Sequence, residues 1–221
     1  MNYQLVIFDW DGTLMDSTDR IVACMHRASV DLALPLLPAA AVKQIIGLGL
    51  PEAISTPYPE LGASERSAMR DRYAEPFIAP EAVPCNLYAG ALELLDQLRL
   101  HGTKLAVATG KSRKGLDRVW QSSQLGDYFH SSRCSDEGGS KPHPAMLHEI
   151  VAELGLSVED AIMIGDTSFD LEMAERAGMD RIGVTYGAHA AEQLAQYQPL
   201  ALCDSLTSIL PHLYSPKRER I

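Results

Sequence analysis

Two aspartates, Asp9 and Asp11, lie two positions apart in the segment Asp-Trp-Asp-Gly-Thr at residues 9–13. The apolar run 5–8 before them is typical of a buried strand, so both carboxylates leave a sheet at the same edge. Residues i and i+2 of a strand share a side, so we expect the two negative charges to repel each other unless a cation lies between them. Such a pair can supply a nucleophile and an acid–base group. For this motif alone, the alternative is a turn in which the aspartates only shape the backbone beside Gly12.

Two later segments offer groups that suit an anion. Thr109 and Gly110 follow the predicted second strand, where the threonine hydroxyl and the glycine N–H can donate to a phosphate or carboxylate. Lys141 follows a loop with two glycines at 138–139 and can add a positive charge to the same anion. Each feature alone is common on protein surfaces, so its meaning depends on its place near the strand ends.

A second pair of acidic residues, Asp166 and Asp170, follows the apolar run 161–164. The two lie four positions apart and share one face if a helix begins there; alternatively, they form only an N-cap and a first-turn acid. Along the chain the order is acid pair, hydroxyl, lysine and acid pair. Because the carboxyl ends of parallel strands meet at one edge of a sheet, we expect these groups to converge.

The composition is that of a globular protein. The 221 residues are 46% hydrophobic and 22% charged with four cysteines, which excludes disordered, collagen-like and disulfide-stapled chains. The 29 acidic and 19 basic residues give a net charge of −10, which repels nucleic acids and anionic membranes, so we expect neither as a partner. The cysteines form no Cys-x-x-Cys pair and no export or anchoring segment is visible, so we expect a cytoplasmic location.

Short apolar runs alternate with helical patterns and predict the scaffold. The predicted strands are residues 4–8, 104–108, 161–164, 181–185 and 200–203. The predicted helices between them are residues 89–100, 145–154 and 170–177. Strand runs without polar alternation indicate burial on both faces, and hence a parallel sheet covered by helices. We therefore predict an α/β fold with a doubly wound, Rossmann-like parallel sheet.

Residues 16–84 interrupt this alternation because no strand pattern occurs among them. Apolar residues recur there at helical spacing, as at Met69, Tyr73 and Phe77, and prolines separate the groups. Asp16 or Ser17 can cap the first helix. We predict an all-helical cap domain at 16–84, inserted into a core formed by 1–15 and 85–221. Both ends of this insert return to the first strand, so we expect it to cover the active edge of the sheet.

The order of the motifs resembles the haloacid dehalogenase superfamily, in the phosphatase branch whose helical cap follows the first motif. The four motifs stand here as residues 9–13, Thr109, Lys141 with Pro142, and residues 165–170. Three further segments resemble the phosphoglycolate phosphatase-like subgroup, namely residues 88–90, 141–144 and 177–179.

The resemblance implies a Mg²⁺-dependent phosphatase that acts on a small phosphorylated metabolite through an aspartyl phosphate. Asp9 is then the nucleophile, and Asp11 protonates the leaving alcohol and later activates water. Asp9, the backbone carbonyl of Asp11, and Asp166 are the implied Mg²⁺ ligands.

The resemblance also implies which groups hold the phosphate. Thr109, the Gly110 N–H and Lys141 are expected to bind the phosphoryl oxygens, where charge must be stabilised. Asp170 is expected to orient Lys141 or a metal-bound water, and direct binding of the metal is the alternative. Phosphoglycolate is the first candidate substrate by analogy, because the neutral loop 47–50 favours a compact alcohol.

Two other functions fit part of this pattern. Sugar-phosphate mutases of the superfamily hold a second phosphate with an arginine in a cap loop, and the corresponding loop 47–51 here contains none. A non-enzymatic receiver-like phosphoacceptor switch also combines Asp, Thr and Lys on a doubly wound sheet, but it needs a shorter chain and no helical lid. A third motif, Gly-Lys-Ser at 110–112, resembles the end of a P-loop, but Leu105 stands where that motif requires glycine.

Overall fold

The computed structural model describes residues 2–79 and 85–214 of the chain, and those residues form six strands in one parallel sheet. The spatial order of the strands is β3-β2-β1-β4-β5-β6. The strands are β1 (Leu5–Phe8), β2 (Lys104–Thr109), β3 (Ser131–Cys134), β4 (Ala161–Gly165), β5 (Asp180–Val184) and β6 (Leu202–Cys203). Because β1 pairs in parallel with both β2 and β4, the carboxyl ends of these three strands meet at one edge.

Ten α-helices occur among the described residues. They are α1 (Thr18–Asp31), α2 (Ala39–Lys43), α3 (Leu50–Ser55), α4 (Ala63–Ile78), α5 (Ala91–Leu100), α6 (Arg113–Ser123), α7 (Ser135–Gly138), α8 (Ala145–Glu153), α9 (Ser168–Arg176) and α10 (Ala191–Ala195). Short 3₁₀ turns occupy Gly126–Tyr128, Val158–Asp160, Leu206–Ser208 and Leu210–Tyr214.

Helices cover both faces of the sheet, as β1 illustrates. Val6 and Phe8 belong to an apolar cluster with residues of α5 and α6, whereas Leu5 and Ile7 belong to a second cluster with residues of α8 and α9. Successive side chains of a strand point to opposite faces, so a strand with no polar alternation can only be buried on both. The predicted doubly wound parallel sheet is confirmed.

The helices α1 to α4 lie between β1 and β2, and no strand occurs between those two in the described part of the chain. They pack around an apolar cluster of their own, which includes Met25, Ile54, Tyr58 and Met69. The predicted boundary of the insert at 84/85 touches residues 80–84, which lie outside the described residues. The division into core and cap domain therefore stays a prediction.

Two details differ from the sequence predictions. Strand β3 was not predicted, because its sequence Ser-Ser-Arg-Cys has no apolar run; as an edge strand it needs less apolar burial than the central strands. Ser17 precedes α1 but its side chain does not cap the helix, because its hydroxyl donates to Asp11 Oδ1 at 2.6 Å. Among the described residues, no helix combines the length and the apolar character that a membrane crossing requires.

Candidate active site

Asp9 lies directly after β1 in a buried cluster with Lys141 and Asp170. Lys141 Nζ is 2.7 Å from Asp9 Oδ1 and 2.6 Å from Asp170 Oδ1. The three side chains are at most 1% exposed. Asp9 Oδ2 is also buried, and within residues 2–79 and 85–214 it has no hydrogen-bond partner. One lysine thus bridges two carboxylates and leaves one oxygen of Asp9 without a donor. We call these three residues the buried triad.

Asp166 follows β4, and its carboxylate is fixed from both sides. Its Oδ1 accepts a hydrogen bond from the Thr13 hydroxyl at 2.8 Å, and its Oδ2 accepts one from the Ala188 N–H at 2.7 Å. A Cβ at Gly12 or Gly187 would lie 2.2 Å from Asp166 Oδ2, so only glycine lets the backbone approach this closely. The loop after β1 and the loop after β5 therefore clamp Asp166 together.

Asp170 lies in the first turn of α9, while Asp166 precedes that helix. Asp170 Oδ2 accepts from the N–H and the hydroxyl of Thr167, at 3.0 and 2.7 Å, and Thr167 is the N-cap of α9. One oxygen of Asp170 thus secures the helix start and the other holds Lys141. Because Asp166 lies before α9, the two aspartates do not share a face of that helix. The capped turn at Thr167 brings Asp166 and Asp170 to the same edge.

Three carboxylates converge on this edge, since Asp9, Asp166 and Asp170 each place an oxygen within 4.8 Å of the others. Burial raises the pKa of Asp9 well above its ordinary value; Lys141 opposes this, and the charges of Asp170 and Asp166 add to it. Burial and Asp170 raise the pKa of Asp166 to about 7, although the Ala188 N–H and the Thr13 hydroxyl oppose the shift. Burial opposes the charge of Lys141, yet the Asp170 and Asp9 carboxylates raise its pKa overall. Three acids thus converge where one lysine pairs with only two of them, an arrangement that suits a hard divalent cation.

Asp11 lies apart from these carboxylates. Its Oδ1 and Oδ2 are 2.9 and 2.7 Å from Lys111 Nζ, and Ser17 donates to Oδ1. Strand β1 ends at Phe8, so strand alternation does not extend to Asp11. The structure therefore gives each aspartate its own lysine, Lys141 for Asp9 and Lys111 for Asp11.

Thr109 and Gly110 lie at the end of β2, at the same edge as Asp9. Thr109 is buried, and its Oγ1 accepts the Lys111 N–H at 3.2 Å. A Cβ at Gly110 would lie 2.5 Å from the carbonyl oxygens of both Gly47 and Leu48. Glycine at position 110 is what allows the loop between α2 and α3 to rest on the end of β2.

The same loop contacts the opposite side of the site. A Cβ at Gly47, where φ is +100°, would lie 2.9 Å from Thr167 Oγ1. The Gly49 N–H donates to Ser140 Oγ at 2.8 Å, next to Lys141. Loop 47–49 therefore touches three segments that carry sequence-predicted site residues, namely 109–110, 140–141 and 166–170, and all of these contacts are made by its backbone.

Sequence reasoning missed several groups that support the site. Lys111 was set aside with the failed P-loop pattern, although its position directly after Thr109 and Gly110 was a usable signal. Tyr186 and His189 follow β5 at the same edge: the Tyr186 hydroxyl donates to the Thr13 carbonyl at 2.7 Å, and His189 Nδ1 accepts the Ser168 N–H at 3.0 Å. Burial lowers the pKa of His189, which agrees with a neutral ring that accepts at Nδ1.

Comparison of the sequence with known proteins identifies the family of this chain. The model of the haloacid dehalogenase-like hydrolase family matches residues 6–184. Among curated relatives, the probable phosphatase IndB of Dickeya dadantii is 35% identical over 211 residues, which cover 93% of this chain and 91% of that protein. The phosphoglycolate phosphatase of Pectobacterium atrosepticum is 29% identical over 209 residues, covering 92% and 89%.

Solved structures agree with this assignment. A predicted phosphoglycolate phosphatase from Haemophilus somnus has a TM-score of 0.81 at 26% identity, over 96% of this chain and 98% of that one. A predicted phosphatase from Clostridium acetobutylicum has a TM-score of 0.84 at 26% identity, over 96% and 100%. The family model spans most of the chain, and the relatives align over nearly the full length of both partners. The chain belongs to the haloacid dehalogenase-like hydrolase family, in its phosphoglycolate phosphatase-like group of phosphatases.

Proposed function

We propose that this chain is a Mg²⁺-dependent phosphatase that hydrolyses a small organic phosphate monoester through an aspartyl phosphate on Asp9. The observation that carries the proposal is the buried Asp9 Oδ2, which has no donor among the described residues and lies beside a fixed lysine at a strand edge. A carboxylate oxygen without a competing hydrogen bond is available either to a metal or to phosphorus.

The proposed reaction has two displacements at phosphorus. In the first, an Asp9 oxygen attacks phosphorus, the bond from phosphorus to the ester oxygen breaks, and Asp11 gives its proton to that leaving oxygen. In the second, water attacks the aspartyl phosphate, its proton passes to Asp11, and the bond from phosphorus to Asp9 breaks. The products are the free alcohol and inorganic phosphate.

The phosphoryl oxygens need positive charge and N–H or O–H donors throughout. We assign this role to the Thr109 hydroxyl, the Gly110 N–H and Lys141. Lys141 is held on one side by Asp170, whose other oxygen is occupied by Thr167, so its ammonium group is fixed before the substrate arrives. Such preorganised groups stabilise transition-state charge without reorganisation.

The acidic cluster fits Mg²⁺, because three carboxylates converge, Lys141 pairs with only two of them, and Asp9 Oδ2 has no donor in the described part of the chain. We expect Asp9, the backbone carbonyl of Asp11, and Asp166 to hold the ion. When bound, Mg²⁺ supplies positive charge that neutralises the phosphate and keeps the carboxylates ionised. Asp170 is engaged by Lys141 and Thr167, so we assign it the orientation of Lys141 in preference to metal binding.

Phosphoglycolate is the first candidate substrate, because several curated relatives are named phosphoglycolate phosphatase. We further propose that residues 16–84 act as a cap domain, in line with the contacts of loop 47–49 at the site. The four cysteines are unpaired, which supports the predicted cytoplasmic location.

The proposal is tested by phosphate release from a panel of metabolite phosphates, with and without Mg²⁺. We expect Mg²⁺-dependent release by the wild type, and a loss of about four to six orders of magnitude in Asp9→Asn. Incubation with substrate followed by acid quenching should show a phosphorylated chain for the wild type and not for Asp9→Asn. Asp127→Asn, at an exposed aspartate, is the matched control and should behave as wild type. Wild-type turnover in Asp9→Asn with an unchanged circular dichroism spectrum would refute the nucleophile assignment.

A further inference from the structure

The carboxylate of Asp11 faces groups that play no part in holding the phosphate. Lys111 Nζ contacts both Asp11 oxygens, and the two side chains are 16% and 12% exposed. A second cation, Arg20 of α1, lies nearby. The Arg20 guanidinium carbon and Lys111 Nζ are 4.8 and 5.6 Å from the centroid of the same ring, that of Phe77 in α4. We call these four residues, Asp11, Arg20, Phe77 and Lys111, the alcohol-side group.

Arg20 and Phe77 are held in place by the insert itself. An Arg20 guanidinium nitrogen donates to the Pro76 carbonyl at 2.8 Å, which fixes the guanidinium against the end of α4. The insert thus adds a cation and a ring to the side of the site where Asp11 lies.

Distances relate this group to the leaving alcohol. A general acid lies about 3 Å from the oxygen that it protonates, and Lys111 Nζ is 2.7 Å from Asp11 Oδ2, so Lys111 is within about 6 Å of the leaving oxygen. A carboxylate attached to the carbon that bears the ester oxygen falls inside this range. An alcohol with only hydroxyl or methyl groups offers these cations no charged partner.

Resting on the function proposed above, we propose that Lys111 and Arg20 bind a negatively charged group on the leaving alcohol. The preference for phosphoglycolate over esters of neutral alcohols then depends on these two cations. The neutral loop 47–50 does not argue against this. The backbone of this loop contacts Gly110 and Thr167. The absence of charged side chains in the loop therefore bears on the phosphate side of the site and not on the side of the leaving alcohol.

Pairing with the substrate also changes the contacts of Asp11. In the free protein Lys111 is the ion-pair partner of Asp11. A carboxylate on the substrate takes the place of Asp11 on the ammonium group, which leaves the Asp11 carboxyl group to meet the ester oxygen. An ester without a charge does not make this exchange. Selectivity is therefore expected in kcat/KM, since the discriminating contact forms beside the reacting oxygen.

The test compares two esters of equal length, 2-phosphoglycolate and 2-hydroxyethyl phosphate, which differ in a carboxylate against a hydroxymethyl group. We expect wild-type kcat/KM to favour phosphoglycolate by about 10- to 100-fold, which is the factor that one hydrogen bond to a charged group contributes. Lys111→Met should reduce this ratio by about tenfold or more, and Arg20→Met should reduce it by a smaller factor. Lys111→Arg, which keeps the charge, should retain most of the preference. Lys114→Met and Arg27→Met, at exposed positions of α6 and α1, are the matched controls and should leave the ratio unchanged.

Binding without turnover gives a second readout. Titration of phosphoglycolate into Asp9→Asn, with and without Lys111→Met, should show a Kd about tenfold higher or more in the double variant. A wild-type ratio near one, or an equal loss for both esters in Lys111→Met, would overturn the inference, because Lys111 would then act through Asp11 alone. Failure of the proposed function looks different: no ester, including p-nitrophenyl phosphate, would release phosphate in a Mg²⁺-dependent reaction.

Discussion

The two lysines of the site occupy very different surroundings. Lys141 is fully buried between Asp9 and Asp170, all three of which come from the sheet core. Lys111 is partly exposed, pairs with Asp11, and shares the ring of Phe77 with Arg20 of the helical insert. One region is fully buried and built by a single scaffold, and the other is partly exposed and shared between core and insert.

This difference separates chemistry from selectivity. A buried ion pair is sensitive to the loss of either partner, because the remaining charge stays desolvated. A partly exposed pair is screened by water and exchanges partners at small cost. In the proposed mechanism, Lys141 of the buried triad therefore holds the phosphate in one fixed geometry, while the alcohol-side group can vary with the substrate. We expect replacement of Arg20 or Phe77 to alter which alcohol fits without disturbing Asp9.

The largest expected effect that probes this division comes from Asp11→Asn. We expect kcat for alkyl phosphates to fall by about 100- to 10,000-fold, since their leaving oxygen needs a proton. With p-nitrophenyl phosphate, whose leaving group is stable as an anion, formation of the aspartyl phosphate should lose far less. Rapid-quench measurement of the phosphorylated chain separates that step from its hydrolysis. An equal loss with both kinds of ester would show that Asp11 serves the buried triad and not the leaving alcohol.

Sequence patterns predicted the buried region far better than the partly exposed one. Asp9 and Asp166 follow central strands, Thr109 ends one and Lys141 follows a loop at the sheet edge. Central strands are recognisable because burial on both faces requires continuous apolar runs. The edge strand Ser131–Cys134 could not be predicted, because its side chains are incompletely buried and its sequence has no apolar run.

The alcohol-side group could not be assembled from the sequence. Phe77 and Tyr73 fit an apolar helical stripe together with Met69, which is buried in the cluster of the insert. Periodicity tells which face of α4 is apolar but not where the helix end meets the core. Arg20 and Lys111 are 91 positions apart in the chain. Their approach depends on how α1 and α4 pack over the sheet edge, which no local spacing encodes.

The next test compares the free energy of unfolding of two variants, one at each lysine. Lys141→Met should lower the free energy of unfolding by about 3 to 5 kcal/mol, because Asp9 and Asp170 lose a buried counter-charge. Lys111→Met should cost no more than about 1 kcal/mol, since its ion pair with Asp11 is partly exposed. Urea unfolding of both variants in Mg²⁺-free buffer at pH 7 measures the difference. Equal losses would remove the distinction between the two regions.

The smallest expected effect is the pH dependence of stabilisation by Mg²⁺. Asp166 has a pKa of about 7 in the folded chain, and that of Asp9 is also raised, against about 3.9 for an unfolded aspartate. The folded state therefore holds more protons than the unfolded state between these values. Without metal, the carboxyl groups contribute stability below about pH 4 that is lost as the pH rises through about 7.

Mg²⁺ binds the ionised carboxylates and should oppose this loss. We expect its stabilisation to be greater at pH 8 than at pH 5.5, reaching about 2.7 kcal/mol when Mg²⁺ is at about 100 times its Kd. For a chain of this size, each kcal/mol corresponds to a Tm shift of about 2 to 4 °C. Asp166→Asn should abolish the Mg²⁺ effect, and Asp127→Asn should keep it. An effect that is independent of pH, or larger at pH 5.5, would mean that the ion is not held by the acids around the buried triad.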